Sequence, residues 1–149
     1  MGVDFSKIDS ELDQKEIARN IKKAKEQSGD VPKGDYTVGI DKMEVRATKD
    51  GRPMFFMQCR VKDGKFKNHC LFFNRVLYGT KNDANMISSV LTMLEKFETE
   101  TAPEFTTYSQ FVENVADIYE EIQGNVECDI AYDPDAFNSI SIKDVFDAA

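Results

Sequence analysis

Rings and cations alternate along one stretch of this chain. Between residues 54 and 62, Met54, Phe56, Gln58, Arg60 and Lys62 share one parity, and Phe55, Met57, Cys59 and Val61 share the other. A strand sends successive side chains to opposite faces, so the first set forms a face of its own and the second a core face. Arg46, Lys67 and Arg75 can join the first face from neighbouring segments. Lys49, Arg52 and Lys65 can join it from adjoining turns, and Phe73 and Tyr78 can add rings. An aromatic face stacks with any base, at roughly 1–3 kcal/mol per base, and cations beside it neutralise phosphates in a salt-dependent way. The expected nucleic-acid-binding set is therefore Arg46, Lys49, Arg52, Phe56, Arg60, Lys62, Lys65, Lys67, Phe73 and Arg75. The rival reading of each ring alone is burial, because strand phenylalanines usually pack in a core.

Catalysis finds little to work with. The single histidine, His69, lies in a β-like run with no nucleophile or carboxylate at a telling spacing. A Ser-His-Asp triad, a Cys-His dyad or a His-rich metal centre would have to pass through it. No phosphate-cradling or dinucleotide-binding glycine motif occurs. The three cysteines, Cys59, Cys70 and Cys128, are widely spaced and form no CxxC pair. They fit buried thiols in a reducing cytosol better than a disulfide or zinc framework. Asp133, Pro134, Asp135 and Asn138 lack the spacing and terminal Glu of a calcium loop and read as a turn. Glu98, Glu100, Glu104, Glu120 and Glu121 read as solvated helix ends, not as a hydrolytic acid pair. No enzyme activity, catalytic residue, metal or cofactor is expected.

The 149 residues suit one domain, and 41% apolar with 31% charged side chains describes a globular chain. The net charge of −8 is unevenly spread. Residues 31–81 hold 11 basic and 5 acidic side chains, whereas residues 82–149 hold 2 basic and 15 acidic. That segregation suggests one face built to meet an anion while the remainder repels it. The plainer reading is that strands expose Lys and Arg while helices expose Glu. No apolar run reaches the roughly 18 residues of a membrane span. The opening Met1–Ser6 shows no basic-then-apolar leader, so a cytoplasmic location without membrane contact is expected.

These residues need elements to hold them. Residues 9–28 read as a helix with Asp9 or Ser10 as cap, acids early and Lys22, Lys23 and Lys25 late. Residues 1–30 are taken as an N-terminal helical segment and 31–149 as one domain. Residues 35–48 read as a long strand whose apolar parity slips near Asp41-Lys42. A β-bulge produces such a slip, and Gly39 fits the bend. Strands follow at 53–62 and 66–78, with Asp50-Gly51 and Asp63-Gly64 as hairpin turns. Both parities of the third strand are largely apolar, so its inward side stays open. Met86, Ile87, Val90, Leu91, Leu94 and Phe97 recur at helical spacing after Asn82 or Asp83. Phe111, Val115, Ile118 and Ile122 do so after Thr106-Thr107. Two strands close the order, at 126–132 and 137–146. The expected fold is mainly β with helices (α+β). It is a five-stranded OB-type Greek-key barrel with an N-terminal helix and two helices inserted between strands 3 and 4. A plain antiparallel α+β sheet gives a similar string, and the slip in strand 1 favours the barrel.

Short segments carry a family resemblance. They are Val31-Pro32-Lys33-Gly34-Asp35-Tyr36, Thr48 to Met54, Lys65-Phe66-Lys67-Asn68, Phe72-Phe73-Asn74, Thr107 to Phe111, and Ile142 to Phe146. On these, over roughly residues 4–147, the chain resembles a group of bacteriophage early-region proteins of formerly unknown function, whose genes accompany replication and recombination. It is similar to phage single-stranded DNA-binding proteins with OB folds. The resemblance implies an OB-like core and single-stranded DNA as ligand, and implies no catalytic residue. Many bacterial single-strand binding proteins end in an acidic tail that recruits partners. Here the last strand runs directly to Asp147-Ala148-Ala149, so recruitment by that route is not expected, and the acidic surface of residues 95–121 is the substitute. The expected function is sequence-independent single-stranded DNA binding in phage DNA replication or recombination, by a homo-oligomer (dimer or tetramer). The alternative is an acidic phage accessory protein that binds a host or phage replication protein.

Overall fold

The computed structural model describes residues 31–148. The expected helix at 9–28 lies outside them. Seven elements follow in order: β1 (Gly34–Ala47), β2 (Pro53–Val61), β3 (Cys70–Val76), α1 (Asp83–Glu95), α2 (Tyr108–Ile122), β4 (Val126–Asp133) and β5 (Ser139–Asp147). All pairings are antiparallel, and the sheet order is β3-β2-β1-β4-β5. The architecture is an α+β protein built on an open five-stranded sheet. Among the described residues β3 and β5 are its edge strands and do not pair with each other, so the sheet is not closed into the expected barrel by strand pairing.

β1 serves two partners. Its first half, Gly34 to Gly39, pairs with β4, and its second, Val38 to Ala47, pairs with β2. The expected parity slip is a bulge at Asp41, where the β1–β2 register shifts between Ile40 and Lys42. One extra residue lets Val38, Ile40, Met43 and Val45 all face inward although their spacing changes mid-strand. A second shift, between Asp129 and Ile130 in β4, leaves Lys143 of β5 unpaired.

The expected third strand, 66–78, begins later, at Cys70. Gly64 and Asn68 have positive φ (78° and 73°), and His69 N–H donates to Phe66 C=O at 3.0 Å. The intervening residues are therefore turn, and the Phe66 ring packs edge-on against Tyr36 and His69. The expected fifth strand also loses its first residues, since Phe137 and Asn138 turn with φ of 56° and 54°. Asp133, Pro134 and Asp135 do form a turn at the end of β4.

α2 follows its sequence signals closely. Thr107 Oγ1 accepts the Gln110 N–H, and Phe111, Val115, Ile118 and Ile122 form the buried stripe. Buried Asn114 holds the preceding loop by donating to Ala102 C=O and accepting the Glu104 N–H, both at 3.0 Å. α1 starts differently. Asn82 makes no side-chain cap, and Asp83 instead accepts the N–H groups of Gly79 (3.2 Å) and Thr80 (2.8 Å). Among the described residues, no helix is long and apolar enough to cross a membrane.

The three cysteines are free. Burial pushes the Cys59 thiol well above its ordinary range, and burial followed by Asp129 pushes Cys128 up to about 12. Only Cys70 is partly exposed, on the solvent face of β3. Titration of the native protein with Ellman's reagent at about pH 8 is expected to label Cys70 alone, with all three thiols reacting in denaturant, because the thiolate is the nucleophile. Prompt reaction of two thiols before unfolding would contradict this core.

Candidate nucleic-acid interface

The outer face of β1, β2 and β3 is where the expected platform lies. Register places Glu44, Phe56 and Asn74 in one row, Arg46, Met54 and Val76 in a second, and Lys42, Gln58 and Phe72 in a third. The Phe56 and Phe72 rings lie 6.1 Å apart with planes 35° from parallel. The Arg46 guanidinium carbon sits 3.6 Å from the Phe56 ring centroid. Phe56 is thereby covered, at 8% exposure, while Phe72 is 41% exposed. The surface open to a flat ligand is thus the Phe72 ring and the outer plane of the Arg46 guanidinium, with Phe56 behind it. A guanidinium plane stacks on bases as a ring does.

Acids neutralise much of this face. Arg46 Nη2 lies 2.6 Å from Glu44, Lys42 is 3.6 Å from the same carboxylate, and Arg60 Nε donates to Asp41 at 2.8 Å. The Asp41 hydrogen bond holds the Arg60 guanidinium even more firmly protonated. Such surface pairs stabilise the fold little, but they position these side chains.

Free cations stand at the two ends of β2. At the β1–β2 turn, Lys49 has no acidic partner among the described residues. Arg52 donates to Asp50 at 2.9 Å, and Asp50 also accepts from the Thr48 hydroxyl. These bonds, Thr48 first and Arg52 second, hold the Asp50 carboxyl below the usual range. Arg52 runs beside Gly79, next to the exposed Tyr78 ring. At the other end, the β2–β3 loop exposes Lys62, Lys65 and Lys67, none of them ion-paired among the described residues. Lys65 Nζ lies 5.7 Å from the Phe66 ring centroid. Lys62 leans across Gly39, where an added Cβ would stand 2.6 Å from its Cε, and so points toward the β1–α2 side of the molecule. The two clusters are separated by the length of β2, about 30 Å at 3.3 Å per residue.

The expected set is therefore divided. Arg46, Phe56 and Arg60 share the outer face, while Lys49, Arg52, Lys65 and Lys67 flank it on loops. Lys62 is turned aside. Phe73 and Arg75 are not on this face. Register pairs Phe73 with Met57 and Arg75 with Phe55, both inward-facing, and Phe73 is 3% exposed. Phe72, absent from the expected set, is the exposed ring. Its signal was Asn74, an obligate hydrogen-bonding side chain on the same parity, which marks that side of β3 as wet.

Together these features define an α+β protein with an exposed ring-and-cation sheet face. The chain belongs to the DUF669 family, described as a protein of unknown function, whose family model matches residues 18–129. Among the described elements that match takes in β1, β2, β3, both helices and the first half of β4. No curated protein matches the chain.

Proposed function

We propose that this chain is a sequence-independent single-stranded DNA-binding protein of OB type that serves phage replication or recombination in the bacterial host cytoplasm. It acts as a binder, with no reaction assigned to it. The observation that carries the reading is the outer face of β2 and β3. There an exposed Phe72 ring and a ring-backed Arg46 of the adjoining β1 lie between Lys49 and Arg52 at one end and the lysines of the β2–β3 loop at the other, in a chain that is otherwise acidic. The strand order supports the OB reading. A long, bulged first strand is shared by β2 and β4, with the helices in the β3–β4 connection, and barrels of this type bind oligonucleotides on strands 2 and 3 and in the loops between strands 1 and 2 and strands 4 and 5. Net negative charge does not oppose docking, since the screening length is about 8 Å at physiological salt.

The test is a fluorescence-anisotropy titration of labelled oligo(dT) at low and high salt, with duplex as control. Binding to the single strand that weakens with salt is expected. Phe72→Ala is expected to weaken it by roughly 5- to 100-fold, the equivalent of one stacked base. No binding at low salt would move the assignment to the alternative reading, an accessory protein that contacts a replication protein. The strongly acidic segment from residue 82 onward favours that reading.

A further inference from the structure

The β4–β5 turn and the seam between the free edges of β3 and β5 form a matching pair. Phe137 at the turn is 97% exposed and held in left-handed backbone, a conformation that bulky residues rarely adopt. The Ala136 N–H to Asp133 C=O and Ser139 N–H to Ala136 C=O bonds fix the turn, so the ring stands clear of its own chain. Asp135 beside it has no basic partner among the described residues. The tip is therefore an aromatic knob with a free carboxylate.

The seam is a groove of about 390 Å³ between β3, α1 and the start of β5. Phe73, Met93, Ile140 and Ile142 give it an apolar lining. Arg75 and Lys96 give it two cations with no carboxylate partner among the described residues. The Arg75 Nε is buried and has no acceptor, which leaves a donor unsatisfied. A larger depression of about 570 Å³ lies along the other end of β5, but there four carboxylates, Glu95, Glu98, Asp144 and Asp147, outnumber Lys96 and Lys143 and disfavour a further carboxylate.

We propose that the groove receives the Phe137 tip of a second copy of this chain, with the ring on Phe73, Met93 and Ile142 and the Asp135 carboxylate on Lys96 and Arg75. Knob and groove are neighbours on β5. An exchange about a two-fold axis therefore uses both knobs and both grooves and closes the assembly as a dimer. This dimer is independent of the DNA reading, because it is tested without nucleic acid.

The experiment is sedimentation velocity of the full chain from low to high micromolar concentration. The expected result is a monomer–dimer equilibrium. Phe137→Ser, at a fully exposed position, is expected to keep the native melting transition and to weaken dimerisation by about tenfold or more. Lys96→Glu is expected to weaken it likewise, and adding Asp135→Lys to Lys96→Glu to restore it. A chain that stays monomeric throughout, a dimer unchanged by Phe137→Ser, or a charge swap that leaves the Lys96→Glu defect in place would each overturn the proposal.

Discussion

Phe55→Ala is expected to lower the unfolding free energy by about 3–5 kcal/mol, the range for truncating a buried phenylalanine. Phe55 is fully buried on the inner face of β2, between Val45 of β1 and Arg75 of β3. Its ring meets Phe73 edge-on at 6.1 Å. The substitution removes both the transfer of a large ring from water and that aromatic pairing, and β-sheet neighbours on both sides hinder collapse of the cavity. Native domains are stable by only about 5–15 kcal/mol, so the variant loses a large share of the total. Urea unfolding checks this, with Phe56→Ala as the contrast. Phe56 lies on the opposite face, covered by the Arg46 guanidinium and flanked by the exposed Phe72 ring, and should lose less. Equal losses at the two positions would mean that β2 does not divide core from surface as described.

The second large effect concerns binding. Lys65→Glu with Lys67→Glu is expected to reduce affinity for single-stranded DNA by about a hundredfold at ~50 mM salt. It should also flatten the slope of log affinity against log salt by roughly 0.7 for each phosphate that is no longer neutralised. The reason is that other cations on this side are already neutralised. Arg46, Arg52 and Arg60 each hold a carboxylate within 3 Å, whereas Lys65 and Lys67 hold none among the described residues. An arginine bound to Asp41 must exchange that partner for a phosphate, so Arg60→Glu, which changes the charge by the same two units, should do less than either lysine change. Lys143→Glu, which breaks a pair with Asp35 away from this face, serves as the control for net charge. If all four substitutions weaken binding equally, the effect is overall charge and no localised phosphate site exists.

These two expectations mark what could be read from the sequence. The inward parity of β2 was legible because Phe55, Met57, Cys59 and Val61 share it without a polar residue, while the other parity carries Gln58, Arg60 and Lys62. The Asp41 bulge was legible because both halves of β1 carry enough apolar side chains to reveal a change of phase. The inward side of β3 was not legible. Leu71, Phe72 and Phe73 are consecutive apolar residues, Asn74 and Arg75 place a polar side chain on each parity, and pairing with β2 assigns Phe73 to the core and Phe72 to water. The basic character of residues 31–81 holds as a count but overstates the available charge. Asp41, Glu44 and Asp50 sit among those cations and pair with four of them. The Arg60–Asp41 pair spans 19 positions and depends on strand register, so spacing alone could not show it. Asn82 or Asp83 was legible as the cap of α1 and Thr106-Thr107 as the start of α2, but the Asp83 bonds run backward to the turn at Gly79 and Thr80, which spacing alone does not show.

The sharing of β1 between two partners has a consequence in time. Thr37 meets Asp129 across 92 positions, whereas the β2 and β3 pairings are local hairpins. At about 5–20 residues per second of synthesis, the β4-facing edge of β1 waits on the order of 5–20 s for its partner to emerge. During that interval Gly34 to Gly39 present open backbone to any other strand in reach, the condition under which nascent β proteins mispair. Lys33 and Asp35 flank this edge, and their finished partners, Asp133 and Lys143, lie 100 or more positions further along the sequence. Until then the two stand as unpaired charges that discourage a foreign strand, and the same side chains that tie β1 to β4 and β5 guard it while those strands are still missing.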